Sequence, residues 1–490
     1  MLDSITIYSF DETYIQLSST NDGVIAELSD FFTFDVPNAK YDERVKNGYW
    51  DGKIHLYKRA NGTLYKGLLN HVIKFAKDRQ YDVIIEEELK ESLKINSSFD
   101  PQSFISTLNI ENIVPYDFQV STIGKIIQDK RKLILSPVNS GKSLIMYCIL
   151  RWYLDNVDGK ILILVPSVDL ILQLIQEFKD YCPHFNIDSL VHQIYQGQPK
   201  NSNKRIYLST WQSIYEQKET YFKQFDAFIG DEAHEITAKC AKHVLESCVN
   251  AQYKVGLTGT VKDTQTHKIV LEGLTGELLE VTTSKKLIEE GRSSKILIKC
   301  LILKYSEAVR KANAKFKYPD EQKFIVTNKE RNRAIALLAT GIKNENVLIL
   351  TQYIEHTELL AKALENSGKK IFVITGDTEK DIVIENKLSM ELSNDCIIIA
   401  TFGKFQRGIN IKNLQNLIMA TGTKSFIRLC QSIGRVLRLD GKTNTCTLWD
   451  FVDDFSYKKE QNYLLTHFFD RIKIYNNQGF PFILKNINIK

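Results

Sequence analysis

The sequence predicts an α/β fold: two tandem domains with parallel sheets, preceded by a small α+β N-terminal domain. Two observations support this prediction. The chain has 490 residues, which exceeds the size at which a single hydrophobic core usually stops growing. From about residue 110 onward, runs of Ile, Leu and Val alternate with helical patterns, which is typical of parallel sheets covered by helices on both faces. We expect the domains to span residues 1–100, 101–285 and 286–490.

The N-terminal domain combines short strands with two amphipathic helices. Its predicted strands are Ser4–Phe10, Lys53–Tyr57 and Asp82–Glu86, and its predicted helices are Gly23–Phe32 and Leu68–Arg79. The polar stretch Glu91–Ser103 is typical of a linker to the next domain.

Both larger domains repeat an order of strand and then helix. The predicted strands are Lys132–Leu135, Lys160–Pro166, Arg205–Ser209, Ala227–Ile229 and Tyr253–Leu257 in the first, and Asn346–Leu350, Lys370–Ile374 and Cys396–Ala400 in the second. Helices are predicted at Ser143–Leu154, Val168–Lys179 and Thr357–Asn366.

The composition is that of a globular protein, with 43% hydrophobic and 25% charged residues. No stretch approaches the ~20 apolar residues that a membrane span requires, and the first residues lack the features of a signal peptide. We therefore expect a cytoplasmic protein without a membrane partner. The eight cysteines show no C-x-x-C spacing, which favours reduced thiols over a zinc site or a disulfide framework.

Positive charge is concentrated near the N-terminus. The net charge of +5 is too small to indicate a nucleic-acid partner by itself. Residues 40–79, however, hold ten Lys and Arg against four Asp and Glu, a local balance of +6. Such a patch on an otherwise acidic domain is a partial nucleic-acid footprint.

A phosphate-binding loop is predicted between a strand and a helix. Backbone N–H groups at such a turn point inward, where the helix N-terminus favours an anion. Lys142 would contact the β- and γ-phosphates of a nucleotide, and the Ser143 hydroxyl would bind magnesium. The nucleotide-binding residues are Ser136, Pro137, Val138, Asn139, Ser140, Gly141, Lys142 and Ser143.

Two carboxylates follow the apolar segment 225–230. Carboxylates at the end of a buried strand face the ligand crevice of an open α/β sheet. Asp231 would hold a magnesium ion through water, and Glu232 would orient and deprotonate the attacking water. Together with the phosphate loop, this pair predicts nucleotide hydrolysis.

Two arginines from the last domain are candidates to complete the hydrolytic site. Arg435 and Arg438 are three residues apart on a predicted helix, so they lie on one face. Such a pair can stabilise the negative charge that develops on a transferred phosphoryl group. We predict that Lys142, Asp231, Glu232 and both arginines form the catalytic set.

The order and content of these motifs resemble those of superfamily-2 helicases, whose two motor domains are RecA-like. Further segments match the family's motifs: 116–119, 165–167, 209–212, 257–260, 401–410 and 431–438. The resemblance implies that Gln119 reads adenine and that Gly408 contacts the nucleotide. It also implies that four residues couple hydrolysis to domain movement: His234, Thr258, Thr260 and Gln431.

The same resemblance places DNA across both motor domains, held mainly through its phosphates. It assigns DNA contacts to Thr210 and Gln212 in the first domain and to Thr401 and Lys404 in the second. In the N-terminal domain Trp50 and Lys53 are DNA-binding candidates, because aromatic and basic residues alternate around them. A core anchor is the alternative interpretation of Trp50.

A closer resemblance, to the phage UvsW family of recombination helicases, covers nearly the whole chain. Its most specific segments are 47–54, 282–285 and 449–454. This resemblance implies a motor that depends on ATP and Mg²⁺, acts on branched or forked DNA and works in the host cytoplasm. Its reactions would be junction branch migration, fork regression and R-loop unwinding in phage recombination, replication and repair. Four residues depart from the usual pattern. Ser136 stands where the phosphate loop usually opens with Gly or Ala, Val138 and Asn139 replace Thr-Gly, and Asn410 replaces Asp.

Several alternatives stay open from the sequence. The shared motor motifs fit an ATP-driven translocase on double-stranded DNA, which separates no strands, or an RNA helicase. A degenerate ATPase is disfavoured because the predicted catalytic residues are all present. The aromatic and basic segment 456–490 is either a packing helix that closes the last domain or an auxiliary DNA surface. We expect a monomer.

Overall fold

The computed structural model describes residues 3–93, 99–195, 197–235, 239–260, 265–406, 413–422, 445–458 and 460–489. The chain divides into two compact units, the first made of residues 1–136 and 141–281 and the second of residues 137–140 and 282–490. Each unit contains a seven-stranded sheet, and the first unit also contains the small N-terminal α+β domain. The predicted fold class is confirmed, whereas the domain limits 100/101 and 285/286 stay predictions.

The N-terminal domain is built on a four-stranded sheet with the order β5-β2-β1-β6. In it β1 and β6 are parallel and the other neighbours are antiparallel, while β3 and β4 form a separate antiparallel pair. The strands are β1 Ser4–Ser9, β2 Tyr14–Ser18, β3 Thr33–Asp35, β4 Lys53–His55, β5 Thr63–Tyr65 and β6 Asp82–Ile85. The helices are α1 Asp22–Phe31, α2 Glu43–Lys46, α3 Leu69–Asp78 and α4 Glu87–Ser92, with 3-10 turns at Ala39–Tyr41 and Lys66–Leu68.

The stretch predicted as a linker is partly helical. Helix α4 reaches Ser92, and a new helix, Pro101–Thr107, begins within the predicted linker. The Asp100 side chain caps this helix by accepting hydrogen bonds from the backbone N–H groups of Gln102 and Ser103, at 3.1 and 3.3 Å. The linker prediction was therefore wrong at residues 101–103, where Asp-Pro is a helix-start signal. Residues 94–98 lie outside the described residues.

The first large sheet is parallel throughout, with the order β13-β7-β12-β11-β8-β10-β9. Its strands are β7 Arg131–Leu135, β8 Lys160–Val165, β9 Val191–Ile194, β10 Ile206–Thr210, β11 Phe225–Gly230, β12 Tyr253–Thr258 and β13 Leu278–Glu280. The helices are α5 Pro101–Thr107, α6 Asp117–Asp129, α7 Lys142–Asn156, α8 Val168–Tyr181, α9 Ile187–Leu190, α10 Trp211–Ile214, α11 Glu219–Phe222, α12 Lys239–Ser247 and α13 Gln265–Thr275, with a 3-10 turn at Ala233–Glu235.

Alternate residues of each central strand pack into two different layers, because successive side chains of a strand point to opposite faces. In β8, Ile161 and Ile163 join the layer that contains α7 and α8. Leu162 and Leu164 instead join a cluster that also contains the apolar residues of the N-terminal domain. The N-terminal domain therefore shares a hydrophobic core with one face of the first large sheet.

The second unit has its own parallel sheet, with the order β16-β17-β15-β18-β19-β14-β20. Its strands are β14 Lys295–Lys304, β15 Val347–Thr351, β16 Lys370–Ile374, β17 Cys396–Thr401, β18 Asn416–Met419, β19 Thr445–Asp454 and β20 Phe482–Asn488. Its described helices are α14 Ser284–Glu289, α15 Glu307–Asn313, α16 Tyr318–Thr327, α17 Lys329–Gly341, α18 Ile354–Leu364, α19 Lys380–Leu392, α20 Phe402–Gln406 and α21 Tyr463–Asn477.

The C-terminal segment packs against the second sheet. Helix α21 buries Phe468 and Tyr475, and its buried Arg471 pairs with Asp450 of β19 at 2.8 Å. Of the two interpretations of segment 456–490, the packing helix that closes the last domain is therefore the one that describes α21. Strand β20, by contrast, lies at the edge of the sheet, and most of its residues are exposed.

No helix in the described ranges combines the length and apolar character needed to cross a membrane. The cysteines within those ranges are free thiols.

Candidate active site

The predicted hydrolytic residues of the first unit meet at the carboxyl edge of its sheet. The phosphate loop follows β7, Asp231 follows β11, and β12 lies between these two strands. The backbone N–H of Ser136 donates to the carbonyl of Thr258 at 2.9 Å, which joins the loop to the end of β12. The backbone N–H of Asp231 donates to the carbonyl of Leu164 in β8, also at 2.9 Å. Ligands of open α/β sheets bind at this edge.

The phosphate loop is held by its own polar groups. The Ser140 hydroxyl donates to the carbonyl of Pro137 at 2.6 Å, and the Lys142 ammonium donates to the carbonyl of Ser136 at 3.1 Å. Gly141 caps helix α7 in a left-handed conformation with φ +74°. This backbone favours glycine, and a Cβ atom there would also require Nε2 of Gln119, 2.3 Å away, to move. The turn between β7 and α7 thus provides the backbone N–H groups and the ammonium that suit a phosphate.

Asn139 explains one departure from the helicase pattern. Its backbone is left-handed, with φ +69°. Glycine adopts this conformation freely, and asparagine tolerates it better than most other residues do. The replacement of glycine by Asn139 therefore preserves the shape of the loop, and Val138 beside it lies in the same turn.

Gln119 connects helix α6 to the phosphate loop. Its side chain is 2% exposed. Its Oε1 accepts a hydrogen bond from the backbone N–H of Tyr116 at 2.8 Å, and its Nε2 lies 3.5 Å from the carbonyl oxygen of Gly141. The structure thus places Gln119 beside the loop, and its role in reading adenine stays a prediction.

Tyr181 is a neighbour of the site that sequence reasoning missed. Its hydroxyl lies 2.9 Å from Oγ of Ser143, the predicted magnesium ligand. Burial and the nearby charge of Glu177 raise the pKa of Tyr181 well above its usual range, so this hydroxyl stays protonated. Tyr181 ends helix α8, far along the chain from the phosphate loop, and no motif marks it.

The electrostatics at Asp231 favour a bound cation. Burial, together with the charge of Glu232, raises the pKa of Asp231 to about 7, while the nearby charge of Lys142 lowers it. A divalent cation would favour the ionised carboxylate. Asp231 and the Ser143 hydroxyl supply the oxygen ligands that Mg²⁺ accepts, usually alongside water and substrate phosphates. Among the described residues, no group of three or more His, Cys, Asp or Glu forms a separate metal cage.

Glu232 has an unusual backbone. Its φ is +49°, and its N–H donates to Oδ1 of Asp231 at 2.9 Å. A left-handed conformation is strained for a residue with a side chain, and such strain clusters at functional sites. Its Oε2 lies 3.2 Å from Nδ1 of His234. The turn therefore fixes the relative positions of the predicted magnesium ligand and the predicted base.

His234 links the hydrolytic turn, defined as residues 231–234, to the neighbouring strand and helix. Its Nδ1 lies 3.0 Å from Oγ1 of Thr258, which in turn donates to the carbonyl of Thr260 at 2.7 Å. Because the hydroxyl proton of Thr258 is used in that bond, Nδ1 of His234 is the donor to Thr258. His267 of helix α13, which sequence reasoning missed, has Nε2 2.9 Å from the carbonyl oxygen of His234. The predicted coupling residues His234, Thr258 and Thr260 thus contact one another.

The DNA-binding candidates of the motor domains differ in exposure. Thr210 is 5% exposed at the end of β10, and its Oγ1 lies 2.8 Å from Oγ of Ser213. Gln212 is exposed, whereas the adjacent Trp211 is a buried core residue. In the second unit, the partly exposed Thr401 ends β17, and Lys404 is half-buried on α20.

The two N-terminal candidates lie near one another, Trp50 in the loop between β3 and β4 and Lys53 at the start of β4. The Trp50 indole N–H donates to the carbonyl of Lys53 at 2.8 Å, and the ring is partly exposed. The guanidinium of Arg44 lies 4.9 Å from the centre of this ring. The Lys53 ammonium lies 3.9 Å from a carboxylate oxygen of Asp35. Trp50 therefore orders a surface loop, and it is absent from the core cluster of its domain.

The remaining candidates lie outside the described residues. These are Gly408, Gln431, Arg435 and Arg438, together with the divergent Asn410.

Three protein families match separate parts of the chain. The N-terminal family of the DNA helicase UvsW matches residues 4–86. The family described as the res subunit of type III restriction enzymes matches residues 75–263, and the conserved C-terminal domain of helicases matches residues 329–440. The two motor regions and the N-terminal domain are thus each matched.

Individual relatives match longer stretches of the chain. The chain is 29% identical over 506 residues to the ATP-dependent DNA helicase uvsW of Enterobacteria phage T4, covering 99% of this chain and 100% of that one. The crystal structure of T4 UvsW superposes with a TM-score of 0.52 at 27% identity and covers 99% of both chains. The DNA 3'-5' translocase XPB2 of Sulfurisphaera tokodaii is 23% identical over 364 residues, covering 66% of this chain and 79% of the relative.

These similarities extend over the N-terminal domain and both parallel-sheet domains, the first of which carries the phosphate loop and the hydrolytic turn. The chain is therefore a superfamily-2 helicase with two RecA-like domains, related to the phage helicase UvsW.

Proposed function

We propose that this helicase uses ATP and Mg²⁺ to move along branched or forked DNA. Its reactions would be junction branch migration, fork regression and R-loop unwinding, in phage recombination, replication and repair. The observation that carries the proposal is the similarity to an ATP-dependent DNA helicase over 99% of this chain. In addition, residues 4–86 match the N-terminal family of the DNA helicase UvsW. The protein would act as a monomer in the cytoplasm of the host cell.

The hydrolytic chemistry is assigned to residues of the first unit. Lys142 and the N–H groups of the phosphate loop would bind the nucleotide phosphates, and Ser143 and Asp231 would hold the magnesium ion. Glu232 would take the proton of the attacking water. In support, its backbone N–H donates to the Asp231 carboxylate, and its own carboxylate lies 3.2 Å from Nδ1 of His234. Arg435 and Arg438 would stabilise the charge on the transferred phosphoryl group. Gln119 would contact the adenine, and Gly408 and Gln431 would complete the nucleotide and coupling contacts.

DNA contacts are assigned by the same proposal to Thr210, Gln212, Thr401 and Lys404 on the motor domains. Gln212 is the exposed member of the first pair. Thr210 would act chiefly through its position at the end of β10, since its side chain is buried and bonded to Ser213. In the N-terminal domain Lys53 would contact a phosphate, and Trp50 would shape the surface that it belongs to.

A translocase on double-stranded DNA is the second candidate. It is favoured by the similarity to XPB2, which is named a DNA translocase, and by the restriction-enzyme family that matches residues 75–263. Because motor motifs are shared between strand-separating and non-separating enzymes, only activity distinguishes the two.

The test is steady-state ATP hydrolysis with different nucleic acids. The chain would be assayed alone and with single-stranded DNA, duplex, a four-way junction, a fork and RNA, with Lys142→Ala as the inactive control. We expect the junction or the fork to stimulate hydrolysis most strongly. Stimulation by plain duplex alone would indicate the translocase, and stimulation by RNA alone would contradict the assignment of DNA.

A further inference from the structure

The loop between β3 and β4 presents two exposed tyrosines. This aromatic loop, defined as residues 36–52, contains Tyr41 and Tyr49, whose exposed fractions are 65% and 84%. Rings as exposed as these lie outside the core, and folding gains little from aromatic rings left in water. Their exposure therefore calls for an explanation by binding rather than by stability.

The loop is ordered by polar contacts at its centre. Asp42 accepts a hydrogen bond from the backbone N–H of Arg44 at 2.9 Å and pairs with its guanidinium at 2.9 and 3.1 Å. The carbonyl of Arg44 accepts bonds from the backbone N–H groups of Tyr49 and Trp50, at 2.8 and 3.1 Å. The same guanidinium covers the Trp50 ring. Because these contacts fix the backbone at Tyr49, little conformational entropy is left to lose when a ligand binds.

The base of the loop is attached to the motor domain. The backbone N–H of Val36 donates to the carbonyl of Gly52 at 2.9 Å, which closes the loop. The Thr266 hydroxyl of helix α13 donates to the carbonyl of Asp35 at 3.0 Å. The next residue of α13, His267, contacts the carbonyl of His234 in the hydrolytic turn. The aromatic loop is thus held by the same helix that contacts the site of hydrolysis.

The charge around the tyrosines suits nucleic acid. The Lys40 ammonium lies 5.1 Å from the centre of the Tyr41 ring, and Lys46 is also exposed on the loop. Exposed aromatic rings interleaved with cations bind unpaired bases by stacking while the cations contact phosphates. In duplex DNA the faces of the bases are covered by their neighbours, so a stacking surface selects the unpaired bases of a branch.

We propose that the aromatic loop stacks on unpaired nucleobases at a DNA branch, with Tyr49 as the principal stacking residue and Tyr41 as the second. This inference rests on the proposed function, since it names the part of the substrate that the N-terminal domain contacts. It assigns to Trp50 a positioning role, through the guanidinium of Arg44 over its ring and its hydrogen bond to the carbonyl of Lys53.

The first test is photocrosslinking of the full chain to a fork. The fork carries 5-iodouracil at the first unpaired positions, a group that crosslinks to a stacked aromatic side chain on irradiation, and the modified peptide is mapped by mass spectrometry. We expect the crosslink on Tyr49 or Tyr41. A crosslink that maps to no residue of 36–52 would overturn the proposal.

The second test measures fork and duplex affinity for matched variants. Tyr49→Ala should weaken fork binding about tenfold, in keeping with the stacking of one base, and leave duplex binding within about twofold. Tyr49→Phe retains the ring and should bind like the wild type. Phe10→Ala removes another exposed aromatic residue of the same domain, 53% exposed, and serves as the control. Equal fork affinity of Tyr49→Ala and the wild type would contradict the proposal, as would equal losses on fork and duplex.

The preference for branched DNA and the stacking by the aromatic loop are tested separately. A wild-type chain that binds the fork no more tightly than duplex contradicts the proposed preference for branched DNA. In that case the crosslink decides the aromatic loop independently, because a product on Tyr49 supports stacking and a product elsewhere excludes it.

Discussion

At the residue scale, Glu232 shows how strain accompanies the proposed chemistry. Its left-handed backbone is maintained by the bond from its N–H to Asp231 and by the contact between its carboxylate and His234. Strain of this kind costs of the order of 1–3 kcal/mol and persists only where neighbouring contacts over-determine it. In return, the carboxylate is fixed next to the predicted magnesium ligand.

Glu232→Gln should therefore separate binding from hydrolysis. The amide keeps the size of the side chain but cannot accept the proton of the attacking water, so we expect turnover to fall by about 10²-fold or more while ATP binding is kept. Single-turnover hydrolysis and nucleotide titration measure the two effects. Glu235→Gln changes an exposed carboxylate of the same turn and should leave both unchanged. Near-normal turnover of Glu232→Gln would remove this residue from the role of base.

Lys254 is a second residue whose environment has a measurable consequence. Its side chain is fully buried, and its ammonium donates to the Thr13 hydroxyl at 2.6 Å. Burial and the charge of Arg131 lower the pKa of Lys254 to about 7. The unfolded chain keeps the usual lysine pKa of about 10.4. Between these values the unfolded state binds more protons, so this group adds to the free energy of unfolding as pH rises from 7 towards 10.

Lys254→Met should reduce that pH dependence. Below pH 7 the folded wild type must keep a charge in its interior, so the variant should have the higher Tm there, and the difference should shrink as pH approaches 10. Thermal unfolding at several pH values measures the difference. Lys74→Met, at an exposed position of the N-terminal domain, is the matched control and should show no such trend. A difference in Tm between the variant and the wild type that stays constant over this pH range would contradict the lowered pKa of Lys254.

At the element scale, a 3-10 turn and a helix meet without space for side chains. Gly67, in the turn Lys66–Leu68, faces helix α13 of the motor domain. A Cβ atom on Gly67 would lie 2.1 Å from the carbonyl oxygen of Glu272 and 2.7 Å from that of Gly273. Both neighbours are backbone atoms, so they can move only if the turn and the helix separate.

Gly67→Ala should consequently destabilise the first unit. We expect the free energy of unfolding to fall by about 2 kcal/mol, which is typical of overpacking at a close contact. Denaturant unfolding measures this change. Gly341→Ala at the end of α17 is the control, because nothing lies within 4 Å of a Cβ there. An unchanged stability of Gly67→Ala would mean that the turn and α13 adjust to the added atom.

The elements also show where sequence reasoning succeeds and where it fails. The strands beside the phosphate loop and Asp231 were predicted within a few residues, because continuous apolar runs and Gly or acidic residues at their ends are local signals. The cap of α5 was missed because a polar composition outweighed Asp100-Pro101. Tyr181 and His267 could not be predicted, because each reaches the site through tertiary packing and belongs to no motif.

At the scale of the whole molecule, the N-terminal domain is integrated with the first motor domain. Glu12 pairs with Lys66 at 2.8 Å and with Arg131 of β7 at 2.9 Å. The hydroxyl of Tyr65 donates to Glu246 of α12 at 2.5 Å. Burial raises the pKa of Glu12, whereas the charges of Arg131 and Lys66 lower it. The net effect is a lowered pKa, so the carboxylate stays charged. These polar contacts lie beside the apolar core that the domain shares with the sheet.

A deletion of residues 1–100 is therefore a poor test of DNA binding. It would expose the apolar face of the first sheet, including Leu162, Leu164 and Phe228, and would leave Arg131 without its carboxylate partner. Loss of activity in such a variant would report misfolding. The surface substitutions in the aromatic loop avoid this problem, because they leave the shared core intact.

We expect the N-terminal domain and the first motor domain to unfold together. Since one core serves both, neither can open fully without exposing apolar surface of the other. Native-state hydrogen exchange as a function of denaturant tests this: amides of β1 and β2 should exchange with the same free energy and denaturant dependence as amides of β8 and β11. Exchange of β1 and β2 at a much lower free energy would show that the N-terminal domain opens by itself. The shared core would then contribute little to its attachment, and deletion would become an acceptable test of its contacts with DNA.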